Sequence, residues 1–565
     1  MIKKRLRILK KNFKVLGIDG YVIPKNDEFF SEYSKVDRLK TISNFSGSAG
    51  YAVILKSKNY LFVDGRYSIQ AKIEAGDNFI IKNLNEILNC KLFKNFTLGI
   101  DPRIFTSDEV SKFFLKFNKI KLIKTNLIDK INKIRTKNEK SFYSLKEKIV
   151  GESYLKKIDR VSSALKKRKL DYLFISAPEN VAWLLNIRGH DSPNSPIPNC
   201  RLLLTKNKKF YIFCKKKKLL KLIKENKIAD NQIIDPEKII IFFNKIKKGK
   251  FIIDKKTCSI FYRNSLINNH KIIEENDPIY FLKSIKNKNE INNMIDTHII
   301  DGVALTKFLY WIKVLNKKKI TEVYAQNKLE KFRKKNKKYL FPSFDTIAGS
   351  GRNGAIIHYK ANKKDTKRIN KKDLFLCDSG GQYKYGTTDV TRTICFSKPS
   401  NSIKNIFTKV LKGHIAVATS NLKTHYNGKL IDIRARASLK KSGFDYNHGT
   451  GHGVGFFSNV HEGPQAISKF NTINLQEGMV LSNEPGYYKK EKFGIRIENL
   501  LYVKKLKGKL SFINLTLVPI DKDLINFNLL NEKEKNYLFN YHLNVYLNLS
   551  KYLSKKEKKW LASFI

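Results

Sequence analysis

One stretch, from Leu374 to Glu498, constrains this chain more than any other, because it carries five hard-metal side chains in five distinctive settings. Asp378 sits in Leu-Phe-Leu-Cys-Asp-Ser-Gly, Asp389 in Gly-Thr-Thr-Asp-Val-Thr-Arg and His452 in Gly-Thr-Gly-His-Gly-Val-Gly. Glu484 follows in Leu-Ser-Asn-Glu-Pro-Gly, and Glu498 in Gly-Ile-Arg-Ile-Glu-Asn. Taken singly, each has an ordinary alternative as a turn, cap or loop residue. Together, four carboxylates and one imidazole carry too much negative charge for one ion. They suit two Mn²⁺-like ions sharing bridging carboxylates, since oxygen-rich ligand sets favour hard metals.

The local pattern predicts how these groups meet. Asp378 and Asp389 flank the turn-rich run 380–386, between strand-like runs at 374–377 and 390–396, so a hairpin would fold the two carboxylates together. Strand-like runs at 480–482 and 494–501 surround a Pro-Gly turn and would bring Glu484 toward Glu498 in the same way. In order and local wording the five segments resemble the pita-bread metallopeptidases, most closely the three-domain Xaa-Pro aminopeptidases. The resemblance covers nearly the whole chain and is strongest over 340–520.

That resemblance implies a ligand set. Asp378 would chelate one ion, His452 with Glu484 the other, and Asp389 and Glu498 would bridge them. Two divalent ions about 3.5 Å apart repel, bridging anions offset the repulsion, and a water between them loses a proton near neutral pH. The hydroxide is then the nucleophile, and no Ser or Cys nucleophile is required. Three more histidines have fitting company: His358 in Gly-Ala-Ile-Ile-His-Tyr, His448 in Asn-His-Gly-Thr-Gly and His461 in Asn-Val-His-Glu-Gly-Pro. By resemblance, His448 and His461 bind the substrate carbonyl and stabilise its oxyanion, and His358 assists proton transfer at the scissile nitrogen. A plainer alternative makes His448 a support for His452. Arg496, two residues before Glu498, would orient a carboxylate or a substrate group. Glu484 would also shuttle a proton to the leaving nitrogen. Selection for proline rests on the resemblance alone.

The 565 residues imply two to four domains, and 42% hydrophobic content supplies ample core. The reading is of mixed α/β and α+β class: two creatinase-like amino-terminal domains, 1–145 and 146–284, then a pita-bread catalytic domain, 285–517, with an extension, 518–565. In the first two, a helix precedes a strand and later hairpin strands, which points to duplication. Asp64 and Arg66 are read there as turn and ion-pair residues. Arg188, in the polar loop after Asn186, has two readings, a substrate contact or a buried structural arginine. His298, on a helical run starting near Glu290, is read as a packing residue.

The formal net charge of +61 points at first to a polyanion partner. Lysine is spread along the whole chain with Ile and Asn, however, and no compact basic segment with interleaved aromatics stands apart. No specific nucleic-acid function is expected. The six cysteines form no CxxC pair and read as free thiols. The basic first residues lack the apolar core of a secretory signal, and no apolar run reaches the ~20 residues of a membrane span. The expectation is therefore a soluble, cytoplasmic, homodimeric aminopeptidase acting on peptides with proline second, with Mn²⁺ preferred and Co²⁺ or Zn²⁺ possible. A dipeptide-specific prolidase and a non-catalytic binding module are the rivals.

Overall fold

Apolar residues at helical spacing in the first sixteen positions form the helix Ile2–Leu16, which buries Ile2, Leu6, Leu9 and Phe13. It stops at Gly17, whose left-handed φ of 55° lets its N–H reach the carbonyls of Lys14 and Phe13. The computed structural model describes residues 1–89, 91–132, 140–316, 318–361 and 366–565. They form two units, Met1–Tyr280 and Phe281–Ile565.

The first unit contains two six-stranded sheets with one topology. The strands Gly20–Pro24, Tyr51–Leu55, Asn59–Val63, Ile80–Asn83, Thr97–Ile100 and Lys119–Leu122 lie in the order 4-3-2-1-5-6. The strands Tyr172–Ile175, Arg201–Thr205, Phe210–Phe213, Ile233–Ile234, Lys250–Asp254 and Lys271–Glu275 repeat that order. In each sheet strands 1–2 and 2–3 are antiparallel, while 3–4, 1–5 and 5–6 are parallel. The repeated order and directions are those of a duplicated unit. Central strands such as Gly20–Pro24 and Tyr51–Leu55 are buried at every position, which explains their continuous apolar runs. Tyr143–Ser144 pairs with Ile187–Arg188, joining the end of the first segment to the second. Arg66 donates to both carboxylate oxygens of Asp64.

The second unit opens with the helix Lys288–Tyr310, started by a reciprocal cap between Asn287 and Glu290. His298 on it is buried, its Nδ1 2.7 Å from the Met294 carbonyl. A three-stranded antiparallel sheet runs Ile347–Ser350, Phe375–Ser379, Val390–Ile394. A five-stranded sheet runs Glu462–Ile467, Gly451–Gly453, Val480–Asn483, Asn499–Leu506, Lys509–Asn514. The helices Asn401–Ala418 and Gly428–Lys440 pack on one another.

Two local expectations are refined. The run 380–386 is not a plain turn: Gly381–Tyr383 and Gly386–Thr387 form a hairpin of their own, joined to Tyr339–Pro342. The single strand expected over 494–501 is two, Phe493–Arg496 and Asn499–Leu506, in different sheets. The break falls where the Glu498 N–H turns away to donate to the Thr391 carbonyl.

The helix Glu532–Leu549, which precedes the helix Lys555–Ala562, is tied in through one buried guanidinium. Arg392 donates to the carbonyls of Thr391, Glu498, Val518 and Pro519, to Asn499 Oδ1 and to the Tyr541 hydroxyl. Cys200, Cys214, Cys258, Cys377 and Cys395 are free and buried. Cys90 lies outside the described residues. Among the described residues, no helix is long and apolar enough to cross a membrane.

Candidate active site

Three pieces of β-structure deliver the five metal-type side chains to one place. Asp378 is on the strand Phe375–Ser379, opposite Thr391, and Asp389 immediately precedes the strand carrying Thr391. His452 is in the middle of Gly451–Gly453. Glu484 follows Val480–Asn483, and Glu498 precedes Asn499–Leu506; the antiparallel pair Asn483↔Asn499 leaves them facing one another. Close backbone approach is required here. A Cβ on Gly494 would lie 1.8 Å from the Gly354 carbonyl oxygen, and one on Gly451 would lie 1.9 Å from that of Ser482.

Ligand-type atoms of Asp389, His452 and Glu498 lie within 4.8 Å of one another. His452 Nε2 is 3.4 Å from Asp389 Oδ2 and 3.6 Å from Glu484 Oε1, while its Nδ1 is 2.9 Å from the Gly453 carbonyl. That second contact orients the ring with Nε2 toward the carboxylates. Ser482 Oγ accepts from the His452 N–H and donates to Glu484 Oε1 at 3.1 Å. Thr391 Oγ1 donates to Glu498 Oε2 at 2.7 Å.

Arg496 sits on the Asp378 side. Its Nη2 donates to Asp378 Oδ2 at 2.5 Å and to the Ile357 carbonyl at 3.4 Å. Its Nη1 donates to the Tyr488 hydroxyl at 2.7 Å and its Nε to Thr391 Oγ1 at 3.1 Å. The Tyr488 oxygen is 3.0 Å from His448 Nε2. His461 lies against His452, ring centroids 4.1 Å apart and planes tilted by 49°. His358 is half-buried in the turn after Gly351–Ala355, next to the Ile357 carbonyl that Arg496 touches. Arg188 belongs to the other unit, where it is buried and its Nη1 donates to the Ala182 and Ile187 carbonyls.

The electrostatics ask for positive charge. Burial, with the charges of Asp378 and Glu484 adding to it, pushes Asp389 up to about 6 against the pull of His452. Burial and the neighbouring carboxylates of Asp389, Glu484 and Asp378 hold Glu498 well above the usual carboxylate range. Burial alone would depress His452, but its bond to Asp389 and the charge of Glu484 outweigh that and raise it to about 9. Asp378 Oδ1 is buried with no hydrogen-bond partner. An orphaned carboxylate oxygen, crowded acids and one imidazole aimed at them fit divalent cations, and the oxygen-rich donor set fits hard ones.

Sequence reading did not single out Tyr488, Thr391 or Ser482. Tyr488 is brought to Arg496 by the cross-strand register Gly486↔Arg496, a pairing that carries no signal in the sequence. Thr391 and Ser482 lie two residues from a ligand on the same strand run, a spacing too common to select them.

Comparison with known proteins agrees with this geometry. Residues 292–505 match the model of metallopeptidase family M24, and 508–563 match the C-terminal region of that peptidase family. Residues 5–136 and 133–290 each match a creatinase/prolidase N-terminal domain. The chain is 36% identical to a probable Xaa-Pro aminopeptidase P of Laccaria bicolor, over 99% of this chain and 92% of that protein. It is likewise 36% identical to Xaa-Pro aminopeptidase 1 of Dictyostelium discoideum, over 96% of this chain and 92% of that one. The crystal structure of a Caenorhabditis elegans X-prolyl aminopeptidase, a cytosolic enzyme with a dinuclear active site, superimposes with a TM-score of 0.92. That match has 30% identity over 100% of this chain and 99% of the other. A Thermococcus sibiricus prolidase shares the fold over 65% of this chain and 98% of its own, with TM-score 0.54 and 24% identity. The chain thus belongs to metallopeptidase family M24, in the branch of the three-domain Xaa-Pro aminopeptidases.

Proposed function

We propose that this chain hydrolyses the bond between the first residue and a proline at the second position of peptides, using two divalent ions, Mn²⁺ by preference and Co²⁺ or Zn²⁺ as substitutes. The observation that carries this reading is the 36% identity over 99% of the chain to a protein named for that activity. Asp378 would hold one ion, His452 and Glu484 the other, and Asp389 and Glu498 both. When bound, the ions polarise the scissile carbonyl and activate the attacking water.

The chain's own residues do the rest. Arg496 holds Asp378 through Oδ2, leaving Oδ1 without a hydrogen-bond partner, and Thr391 occupies one oxygen of Glu498. His461 and His448 offer ring N–H groups to the substrate carbonyl and to the oxyanion it becomes. His448 Nε2 rests on the Tyr488 hydroxyl, a contact it exchanges for the substrate. Glu484 takes the proton from the attacking water and returns it to the proline nitrogen as the C–N bond breaks, with His358 assisting there. Proline brings no N–H to that bond, so the site needs no acceptor for one. Arg188 keeps its two readings, a substrate contact or a buried structural arginine, and Arg188→Ala raising KM at constant kcat would support the first. A cytosolic homodimer is the expected state; the Caenorhabditis elegans relative is described as cytosolic.

Hydrolysis of Arg-Pro-Pro and Gly-Pro, with and without Mn²⁺, by wild type and Asp389→Ala tests the reading. Manganese-dependent release of Arg, lost in the variant, supports an aminopeptidase. Cleavage of Gly-Pro alone makes it a prolidase. A folded protein that takes up no metal and cleaves neither would be a binding module.

A further inference from the structure

The loop 444–450 carries His448 from the helix Gly428–Lys440 to the strand Gly451–Gly453 and has no regular structure of its own. One guanidinium holds it in shape. Arg436 Nη1 donates to the Tyr446 carbonyl at 2.8 Å and to Asp445 Oδ1 at 2.6 Å, and Nη2 donates to the His448 carbonyl at 2.6 Å. Its Nε donates to Asp432 Oδ2 at 2.9 Å, one helical turn back, and its carbon lies 3.9 Å from the centre of the Tyr446 ring. The other Asp432 oxygen accepts from Thr450 Oγ1 at 2.5 Å, and the Thr450 carbonyl accepts from the Glu484 N–H at 2.8 Å.

The bracing therefore grips the chain on both sides of His448 and continues to Glu484. Asp432 is 2% exposed and Arg436 9%. Burying an ion pair to secure a connecting loop is a costly choice, because desolvation consumes much of the Coulombic gain. Two carbonyl contacts and two carboxylate contacts from one planar group are what an ammonium cannot reproduce. Turning His448 by an ångström would move its imidazole off the substrate carbonyl without altering any metal ligand.

We infer that Arg436, itself anchored by Asp432, is the positioning residue for His448 and acts on the reaction only through it. This rests on the reading of His448 as a substrate-carbonyl group given above. The test is a double-mutant cycle on the full-length, metal-loaded protein, with kcat and KM measured on Arg-Pro-Pro for wild type, Arg436→Lys, His448→Ala and the double variant. His448→Ala should lower kcat about 100-fold. Arg436→Lys should lower kcat about tenfold with KM, bound metal and thermal midpoint close to wild type. In the double variant the Arg436→Lys loss should vanish, because the group it positions is gone. Should Arg436→Lys fold poorly, Arg436→Gln, which keeps the stem and removes the planar fork, carries the same cycle. Equal losses in both backgrounds, or wild-type kcat in Arg436→Lys, would overturn the inference. Wild-type kcat in His448→Ala would instead remove the site reading beneath it.

Discussion

Arg496 Nη2 lies 2.5 Å from Oδ2 of Asp378, while Oδ1 of the same carboxylate is buried with no hydrogen-bond partner. One oxygen is committed to the protein and the other is not. Chelator-stripped protein should therefore melt lower than protein in Mn²⁺, by about 2.7 kcal/mol for one site at a hundredfold excess over Kd. Asp378→Ala should lose most of that increment. Melting curves with and without metal decide it, and superimposable curves for the wild type would contradict the metal reading.

The Tyr488 hydroxyl is the one atom touching both Arg496 Nη1 and His448 Nε2 among the contacts described. Tyr488→Phe keeps the ring and deletes that atom. A tenfold fall in kcat/KM, about 1.4 kcal/mol, is expected with little change in stability. Steady-state kinetics on Arg-Pro-Pro beside a urea denaturation curve separate the two effects.

At Gly494 the objection to a side chain is purely steric. The 1.8 Å between a built Cβ and the Gly354 carbonyl oxygen leaves no room, and both partners are backbone. Gly494→Ala should cost about 3 kcal/mol or more, or yield insoluble protein. A urea midpoint equal to wild type would mean that the two segments separate more easily than their packing implies.

Acid should weaken the carboxy-terminal attachment. Burial, with the charges of Arg392 and Lys522 adding to it, depresses His542 to about 3, and its Nε2 accepts from the Ile520 N–H. The unfolded chain takes up that proton near pH 6.5, which the folded chain refuses until about 3. Stability from this group is thus fully present above pH 6.5 and is lost as pH falls through that window, at up to about 1.4 kcal/mol per unit. His542→Gln, which keeps an acceptor, should flatten the slope; parallel slopes for variant and wild type would refute it.

What was legible in the sequence follows from the range of the cause. The helix Ile2–Leu16 is written in local periodicity, and the strands Gly20–Pro24 and Tyr51–Leu55 in short continuous apolar runs. The five metal-type residues were visible because each has a rigid local setting of glycines and strand ends. Tyr488 and Arg436 were not. Their roles depend on which strand pairs with which and on how a helix meets a loop, and neither relation leaves a mark at fixed spacing. The break at Ile497–Glu498 was missed for the same reason: Thr391, which takes the Glu498 N–H, is over a hundred residues away in sequence.

Arg392 has a consequence for how the protein is made. Its guanidinium closes over the Glu498 carbonyl, yet its other acceptors include Val518, Pro519 and Tyr541, among the later parts of the chain to be synthesised. Until Tyr541 has emerged from the ribosome, a cation in the protein's interior lacks part of its cage and the backbone beside a metal-type residue is incompletely held. A nascent or prematurely terminated chain should accordingly be poor in metal however complete its five ligands. The helix Glu532–Leu549 thus links the surroundings of Glu498 to a part of the chain made after all five ligands, and loss of bound metal on truncation before Tyr541 is the outcome expected.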